Sequence, residues 1–407
     1  MATEIAKGIK KQTIIGLQSG IGVPKIGSGL SILRRSNSVF SLDTATTPND
    51  EIVSHLQDTG VTYGEKSTSG TITGILSPTT YQLPIEGIIR KLFAAGASST
   101  GVSLTTAGSA GAWTLTDAAS TFLTDGIKAG DVVRVTAGSV DSGTLDNNLF
   151  VISATETVLT VATLNDSAIV AEGAIASVTI AVTGKKALAP KTSHTDSYFT
   201  FEEWYSDLAK SELFPDCKIN TIGFSVPATG NIPITIGVVG TGQRTIAGSQ
   251  SSTSPTAETA TPPVQGTRGF VYVNEVIVGC ITSADVNLDS TIAASGATVG
   301  DAVSCDLTQG RLKVSGTMNA QFTSTALQTL YDGETPVSAV IVLAADTTKD
   351  SEFMTISMGR IKLTGDTPDD GEVAVSRTYP FVAELNSAGG AALEWDETIV
   401  SIQDSEL

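Results

Sequence analysis

The chain has 407 residues, which at roughly 150 per domain sets an expectation of two or three domains. It carries 42 Asp plus Glu against 24 Lys plus Arg, a net charge of −18, so it is a poor candidate for gripping nucleic-acid phosphates. Two His, three Cys and 5% aromatic residues leave few catalytic or metal-ligating side chains, while 41% apolar content and an excess of small, β-branched and hydroxylated residues exclude general disorder and favour strands.

The first twenty residues carry lysines but no apolar core and no small-residue cleavage site, so they are not read as a secretory signal. No run of about 18 apolar residues occurs, so no membrane span is expected. Residues 30–80 alternate in strand fashion; Gly70-Thr-Ile72-Thr-Gly74-Ile-Leu76 has a period of two. The period then changes. Leu83, Ile85, Ile88, Ile89, Leu92 and Phe93 suit one helix face, with Thr80 as its cap, Pro84 in its first turn, Arg90 and Lys91 near its end and Gly96 as its stop.

Residues 98–186 show almost no helix signal. Strands are expected at 131–136, 149–153, 157–162 and 176–182, separated by Gly, Asp and Asn turns, as in a small sandwich or barrel. Helical spacing returns in TFEEWYSDLAKSELF (200–214), where Thr200 and Glu203 form a capping box and Pro215 marks the stop. Strands resume at 218–226 and 232–239. Residues 241–266, rich in Ser, Thr, Pro and Gly, read as a linker or long loop, and 267–407 as a further β-rich block.

That last block repeats the first strand-turn-helix unit. Gly74 aligns with Gly316, Ile72 with Val314 and Leu76 with Met318; the register continues into a helix, Ile85 over Leu327 and Ile88 over Leu330, ended by Gly333. A weaker pair is Ile222-Gly223-Phe224 with Met358-Gly359-Arg360. Duplication divides the chain into a first domain of residues 1–97 and 187–240, an inserted β domain of 98–186, the loop 241–266 and a second domain of 267–407. A fused pair of similar domains can replace two subunits of a ring, turning a hexamer into a trimer with pseudo-sixfold symmetry.

Reactive motifs are absent. Cys217, Cys280 and Cys305 have no metal or redox spacing and read as buried free thiols. His55 and His194 stand alone; Gly237-Val-Val-Gly240-Thr-Gly242 lacks dinucleotide and P-loop spacing; Asp366, Asp369, Asp370 and Glu372 form an acidic loop without EF-hand spacing; Trp204 and Tyr205 read as core. No catalysis, cofactor or metal is expected. Charge is more informative. Lys7, Lys10, Lys11, Lys25, Arg34 and Arg35 make the N-terminal end basic, whereas Glu384, Glu394, Asp396, Glu397, Asp404 and Glu406 make the other end acidic. Opposed ends suit head-to-tail association, or else are two solvated tails. The residues expected at a ring-stacking contact are Lys7, Lys10, Lys11, Arg34 and Arg35.

SILRRSNSVFSLDTATTPNDEIVSH, STSGTITGILSPTTYQLPIEGIIRKLF and SYFTFEEWYSDLAKSELFPDCKINTIGFSVPATG, followed by GFVYVNEVIVGCITSADVNLD, GRLKVSGTMNAQFTSTALQTLYDGE and ISMGRIKLTG, resemble in this order the tail tube proteins of long, non-contractile-tailed bacteriophages (siphoviruses). The resemblance covers most of 30–97 and 195–407. It implies a mainly β fold: two related β-sandwich or half-barrel domains, each with a flanking helix, the insert being an immunoglobulin-like or similar sandwich. It implies rings stacked head to tail in the virion tail, assembled in the bacterial host cytoplasm, with the tape measure, tail terminator and distal tail proteins as partners. DNA would pass through the lumen without specific binding, and acidic lining would repel it. A β-modular surface or adhesin-like protein is the alternative, and a polysaccharide enzyme with a carboxylate pair a remote third.

Overall fold

A computed structural model describes residues 5–55, 57–109, 111–165, 169–369, 372 and 374–406. After a single 3-10 turn at Gly8–Lys10, the first unit runs through β1 (Lys11–Leu17), β2 (Ser31–Ile32), β3 (Asn37–Pro48), β4 (Val61–Ile75) and α1 (Gln82–Ile89). Alternation in β4 sends Ile72 and Gly74 into the core, with Leu76 following, and leaves Thr71, Thr73 and Ile75 on the other face. Ile85, Ile88 and Ile89 of α1 are buried on the same core, each worth roughly 1.5–3 kcal/mol of transfer free energy. Thr80 does not cap this helix. Its hydroxyl pairs with Ser77 Oγ at 2.7 Å, and Tyr81 holds the cap position without a side-chain bond. The helix stops at Arg90, in the left-handed region at φ 64°, well before Gly96.

Gly74 has a packing reason. A Cβ there would overlap the Tyr81 hydroxyl, which donates to Arg34 O at 2.7 Å. Gly74→Ala should therefore destabilise the chain by about 1–3 kcal/mol, read as a lower denaturant midpoint with an unchanged slope. An unaltered midpoint would mean that Tyr81 moves aside at no cost.

A short strand β5 (Ala94–Ala95) leads into the insert: β6 (Ser98–Ser109), β7 (Ala112–Thr116), α2 (Phe122–Asp125), β8 (Val132–Ala137), β9 (Leu149–Ala154), β10 (Val158–Thr163) and β11 (Glu172–Val182). It closes as a six-stranded barrel in the order β10-β7-β6-β11-β8-β9, not as an immunoglobulin-like sandwich. Closure follows from β11, whose bulged ladders to β6 and β8 bend the sheet onto itself. Val102, Leu104, Leu115, Phe122, Val151 and Ile180 belong to the barrel's own core.

The chain returns through β12 (Lys185–Leu188), β13 (Phe199–Tyr205), β14 (Lys210–Pro227), β15 (Pro233–Gly240) and β16 (Thr245–Ala247). The helix expected at 200–214 is the β13–β14 hairpin. Its capping-box residues find better partners across the sheet. Thr200 Oγ1 accepts from Gln18 Nε2 and from the Lys25 backbone N–H, while the buried Glu203 carboxylate accepts from Thr13 Oγ1 at 2.9 Å and from Ser38. Phe201 and Phe214 stack around Phe40 inside. Tertiary burial on both faces outweighs the local helix signal. The segment 241–266 is held along the first unit: β16 pairs with β14, Ser251 and Ser252 donate backbone N–H groups to buried Glu202, and Val264 is fully buried.

The second unit contains β17 (Gln265–Val273), β18 (Val276–Ile277) and β19 (Ile281–Asp289), then short surface strands β20 (Ile292–Ala294), β21 (Ala297–Thr298), β22 (Asp301–Ser304) and β23 (Leu307–Gln309). β24 (Lys313–Gln321), α3 (Ala326–Asp332), β25 (Val337–Ala344), β26 (Phe353–Leu363), β27 (Thr367–Asp369), β28 (Ser376–Ala383) and β29 (Ser401–Asp404) follow. The pairing scheme of the first unit recurs. β1–β13 matches β17–β25, β3–β4 before α1 matches β19–β24 before α3, and β14–β15 matches β26–β28. Ile72, Leu76, Val314 and Met318 share one core.

The barrel packs on the face of this body formed by β17, β25 and β26. Odd-numbered Ala339, Ile341 and Leu343 of β25 face the common core, whereas Val340 and Val342 meet Val132 and Phe150 of the barrel together with Tyr272 and Phe353. Polar groups finish the seam. Lys128 Nζ donates to Leu123 O, Ala391 O and Leu393 O; Gln403 bonds both backbone groups of Val132; Lys186 sits between Asp131 and Asp396. Of the three cysteines expected to be buried, only Cys217 is; Cys280 and Cys305 are exposed, on strand ends and surface excursions that offer no core to cover them.

Candidate functional site

The most extended surface is a row of eight antiparallel strands that spans both units: β3, β4, β15, β14, β19, β24, β28 and β26. One cross-strand line reads Asn37, Thr73, Thr235, Gly223, Asn287, Ser315, Val382, Lys362. The neighbouring line reads Val39, Thr71, Gly237, Thr221, Asp289, Lys313. These residues turn away from the core, where Ile72, Ile222, Ile236, Val286 and Val314 lie. The face is dominated by hydroxyl and amide side chains. It carries Asp43, Asp285 and Asp289 against Lys313 and Lys362, so the acidity of the chain is not concentrated on it.

Both ends of the row are open. Among the described strands β3 pairs with β4 alone. At the other end, β26 leaves β25 at Ile361, and the edge beyond it, at Lys362 and Leu363, has only β28 on its far side. The middle of the row shows how such an edge is used: β14 leaves β13 at Cys217, and the freed edge takes β19 over Thr221 to Pro227.

A second surface went unrecognised in the sequence. The far half of the β3–β4 hairpin stands clear of any core, with Ile52, Val53, Val61 and Tyr63 exposed. Its one legible signal was apolar Ile52 and Val53 in a turn-rich stretch, NDEIVSHLQDTG.

The five basic residues expected at a stacking contact divide into two groups. Lys11 pairs with buried Glu203, donates to Ser38 O at 2.8 Å and lies over the Tyr205 ring. Arg34 donates to Thr261 O at 2.7 Å and Ser77 Oγ at 3.2 Å. Arg35 reaches the backbone oxygens of Gly8 and Lys11; burial, ahead of the opposing pull of Glu258, holds its guanidinium below the usual arginine range. These three tie the N-terminal segment and residue 261 to the first unit. Lys7 and Lys10 are exposed, anchored only through their backbones to Asp207 and Ser206.

The acidic residues of the other end are largely engaged within the chain. Glu384 pairs with Arg360 and Lys362, Glu397 with Lys191, and Asp396 with Lys186; Glu394 accepts the Ala154 N–H, and Asp404 is buried, accepting the Thr79 N–H. His55 and His194 are exposed and Trp204 and Tyr205 half-buried. Asp366 pairs with Arg377, Asp369 and Glu372 are exposed, and Asp370 lies outside the described residues. Among the described residues no group of three or more His, Cys, Asp or Glu is arranged to hold a metal ion, and no helix is long and apolar enough to cross a membrane.

Unpaired strand edges and an exposed apolar arm are features on which another chain can add. A family model described as phage tail tube protein matches residues 6–383. No curated protein matches the chain.

Proposed function

From the premise that the chain belongs to the phage tail tube protein family, a structural component of the virion tail, we propose that three copies close into a ring and that rings stack head to tail into the conduit for DNA. The observation that carries this reading is the unbroken eight-strand row, open at both ends. The pairing of β14 with β19 is the template: the free edge of β26 takes β3 of the next copy, so that each ring is one closed barrel with no edge left to aggregate. Three copies supply 24 strands. At a spacing of ~4.8 Å, and before any strand tilt, their circumference gives a bore of roughly 37 Å between backbones and roughly 27 Å between side chains, enough for a duplex; six copies would double it.

The two units of the chain act as two related tube domains, and the barrel as an insert on the tube exterior. Layer order supports that placement: row, common core, outer strands, barrel. The lining works by lack of grip. Hydroxyl and amide groups with few cations offer phosphates no counterion to replace, so DNA slides. The exposed arm of β3 and β4 reaches the adjoining ring, where Ile52, Val53 and Tyr63 are covered. The tape measure, terminator and distal tail proteins meet the tube at its lumen and two ends.

Negative-stain micrographs of purified protein with rotational averaging test the reading; threefold rings are expected, and a monodisperse monomer at high concentration overturns it. The lining is tested separately. Duplex DNA should run unshifted beside the protein in a gel at low salt, and a tight complex would overturn the low-grip lining.

A further inference from the structure

In the first unit, the segment that precedes β17 lies in a groove at the end of β4. Val264 is fully buried there, its N–H on Leu76 O at 3.1 Å and Leu76 in turn bonded to Ile232 O, while Thr261 Oγ1 donates to Pro78 O at 2.7 Å and Arg34 holds Thr261 O. The second unit has the corresponding groove, and it is open. Equivalence is fixed by pairing: Ile234 opposite Gly74 matches Phe381 opposite Gly316, so Ile232 corresponds to Tyr379 and Leu76 to Met318. Likewise the Leu33 N–H on Thr13 O matches the Val278 N–H on Val271 O. Around this position lies a groove of about 410 Å³, lined by Val276, Ile277, Phe322, Leu327, Leu330 and Tyr379. Phe322, Val276 and Ile277 are exposed.

What fills the first groove is the stretch leading into β17. Its counterpart is the stretch leading into β1, and among the described residues its isoleucines are left uncovered: Ile5 is 81% and Ile9 91% exposed. Charge agrees. Lys7 and Lys10 flank the isoleucines, while Glu275 sits in the β17–β18 turn and Asp332 and Glu334 at the end of α3. We infer that the N-terminal segment, residues 5–10, of one copy docks in the β24–α3 groove of its neighbour. The contact rests on the ring reading above: β3 of the incoming copy pairs with β26, which brings its own β1 lead-in to the second unit as β19 brings residues 256–264 to the first. The segment then links neighbours within a ring and leaves stacking to the β3–β4 arm.

The test pairs Ile9→Cys with Ser324→Cys in a Cys280→Ser, Cys305→Ser background, treated with a short bismaleimide and run on a denaturing gel. A covalent ladder ending at three copies is expected. Rings in micrographs with no covalent ladder, or a link confined to one chain, overturn the docking and leave the ring reading standing; no rings and no ladder overturn both. As a second measurement, Ile5→Asp with Ile9→Asp should raise the protein concentration needed for rings at least about tenfold while the monomer's melting curve is kept. Ring formation at the original concentration overturns the docking.

Discussion

A chain in which residues 47–62 are replaced by Asn-Gly should fold and form rings, yet build no tubes. The cut leaves Thr46 opposite Tyr63, their native pairing, joined by a two-residue turn of the type that suits strand twist. The described residues that are removed carry no core: those of β3 and β4 beyond Thr46 and Tyr63 are exposed, and a two-stranded ribbon in water adds little stability of its own. Tm should move by no more than about 2–4 °C, the equivalent of 1 kcal/mol. Loss of Ile52, Val53 and Val61 removes the apolar surface that a neighbouring ring would cover. Sedimentation and electron microscopy read the result. Tubes of ordinary length from the shortened chain would exclude the arm from stacking.

The second large effect is on the seam between barrel and tube body. Lys186 lies between Asp131 and Asp396, with side chains 11% and 2% exposed for the Lys186–Asp131 pair. Burial alone would lower the lysine's pKa, but the two carboxylates outweigh it and hold the ammonium above its ordinary range. Lys186→Met leaves a buried carboxylate unpaired and should cost about 3–5 kcal/mol. Because body and barrel have separate cores, the loss should appear as faster amide exchange along β8, β12 and β29, ahead of global unfolding. Adding Asp131→Asn and Asp396→Asn to Lys186→Met should restore most of the protection, which a purely steric effect of methionine would not. The sign with pH follows from the raised pKa. The lysine's share is complete below its unfolded value of about 10.5, for as long as its carboxylate partners stay ionised, and fades as pH climbs through the higher folded one; on the acid side the pair is lost as Asp131, whose carboxyl burial pushes up, takes a proton. Exchange at the seam that is the same in the Lys186→Met chain as in the original would remove the triad from the account.

Strands with one wet face were legible in the sequence. β4, β10 and β15 alternate because about half their side chains meet water, and α1 shows its apolar stripe for the same reason. β13 was not legible. It is buried on both faces, so its glutamates sit where a period-two pattern needs apolar residues, and each is satisfied by groups distant in the chain: Glu203 by Thr13, Glu202 by Ser251 and Ser252. Composition marked 241–266 as loose because Ser, Thr and Pro bury little of themselves; what anchors it is hydrogen bonding to distant parts of the chain, from its backbone and from Thr261, and one buried valine, none of which composition registers. The site divides the same way. The charge at Lys7 and Lys10 is readable and exposed, whereas Lys11, Arg34 and Arg35 carry the same charge but are held by carboxylate and carbonyl oxygens of their own chain. The open strand edges and the empty groove are properties of pairing, and no local pattern encodes a partner that is missing.

The barrel leaves and rejoins the body at one place. β5 and β12 are hydrogen-bonded neighbours, Ala94 opposite Lys186 and Ala95 opposite Lys185, and the Val182 N–H reaches Ala97 O. The ends of this six-stranded excursion therefore lie side by side, and a hairpin turn would join them, a closure whose entropy is among the smallest a chain can meet. A domain so attached can be gained, exchanged or lost by one in-frame event without shifting a strand of the body. The genetic obstacle is the bared patch of Tyr272, Val340, Val342 and Phe353 that removal would leave. Lineages that shed the barrel should therefore carry polar residues at those four positions, and any that exchanged it should keep them apolar.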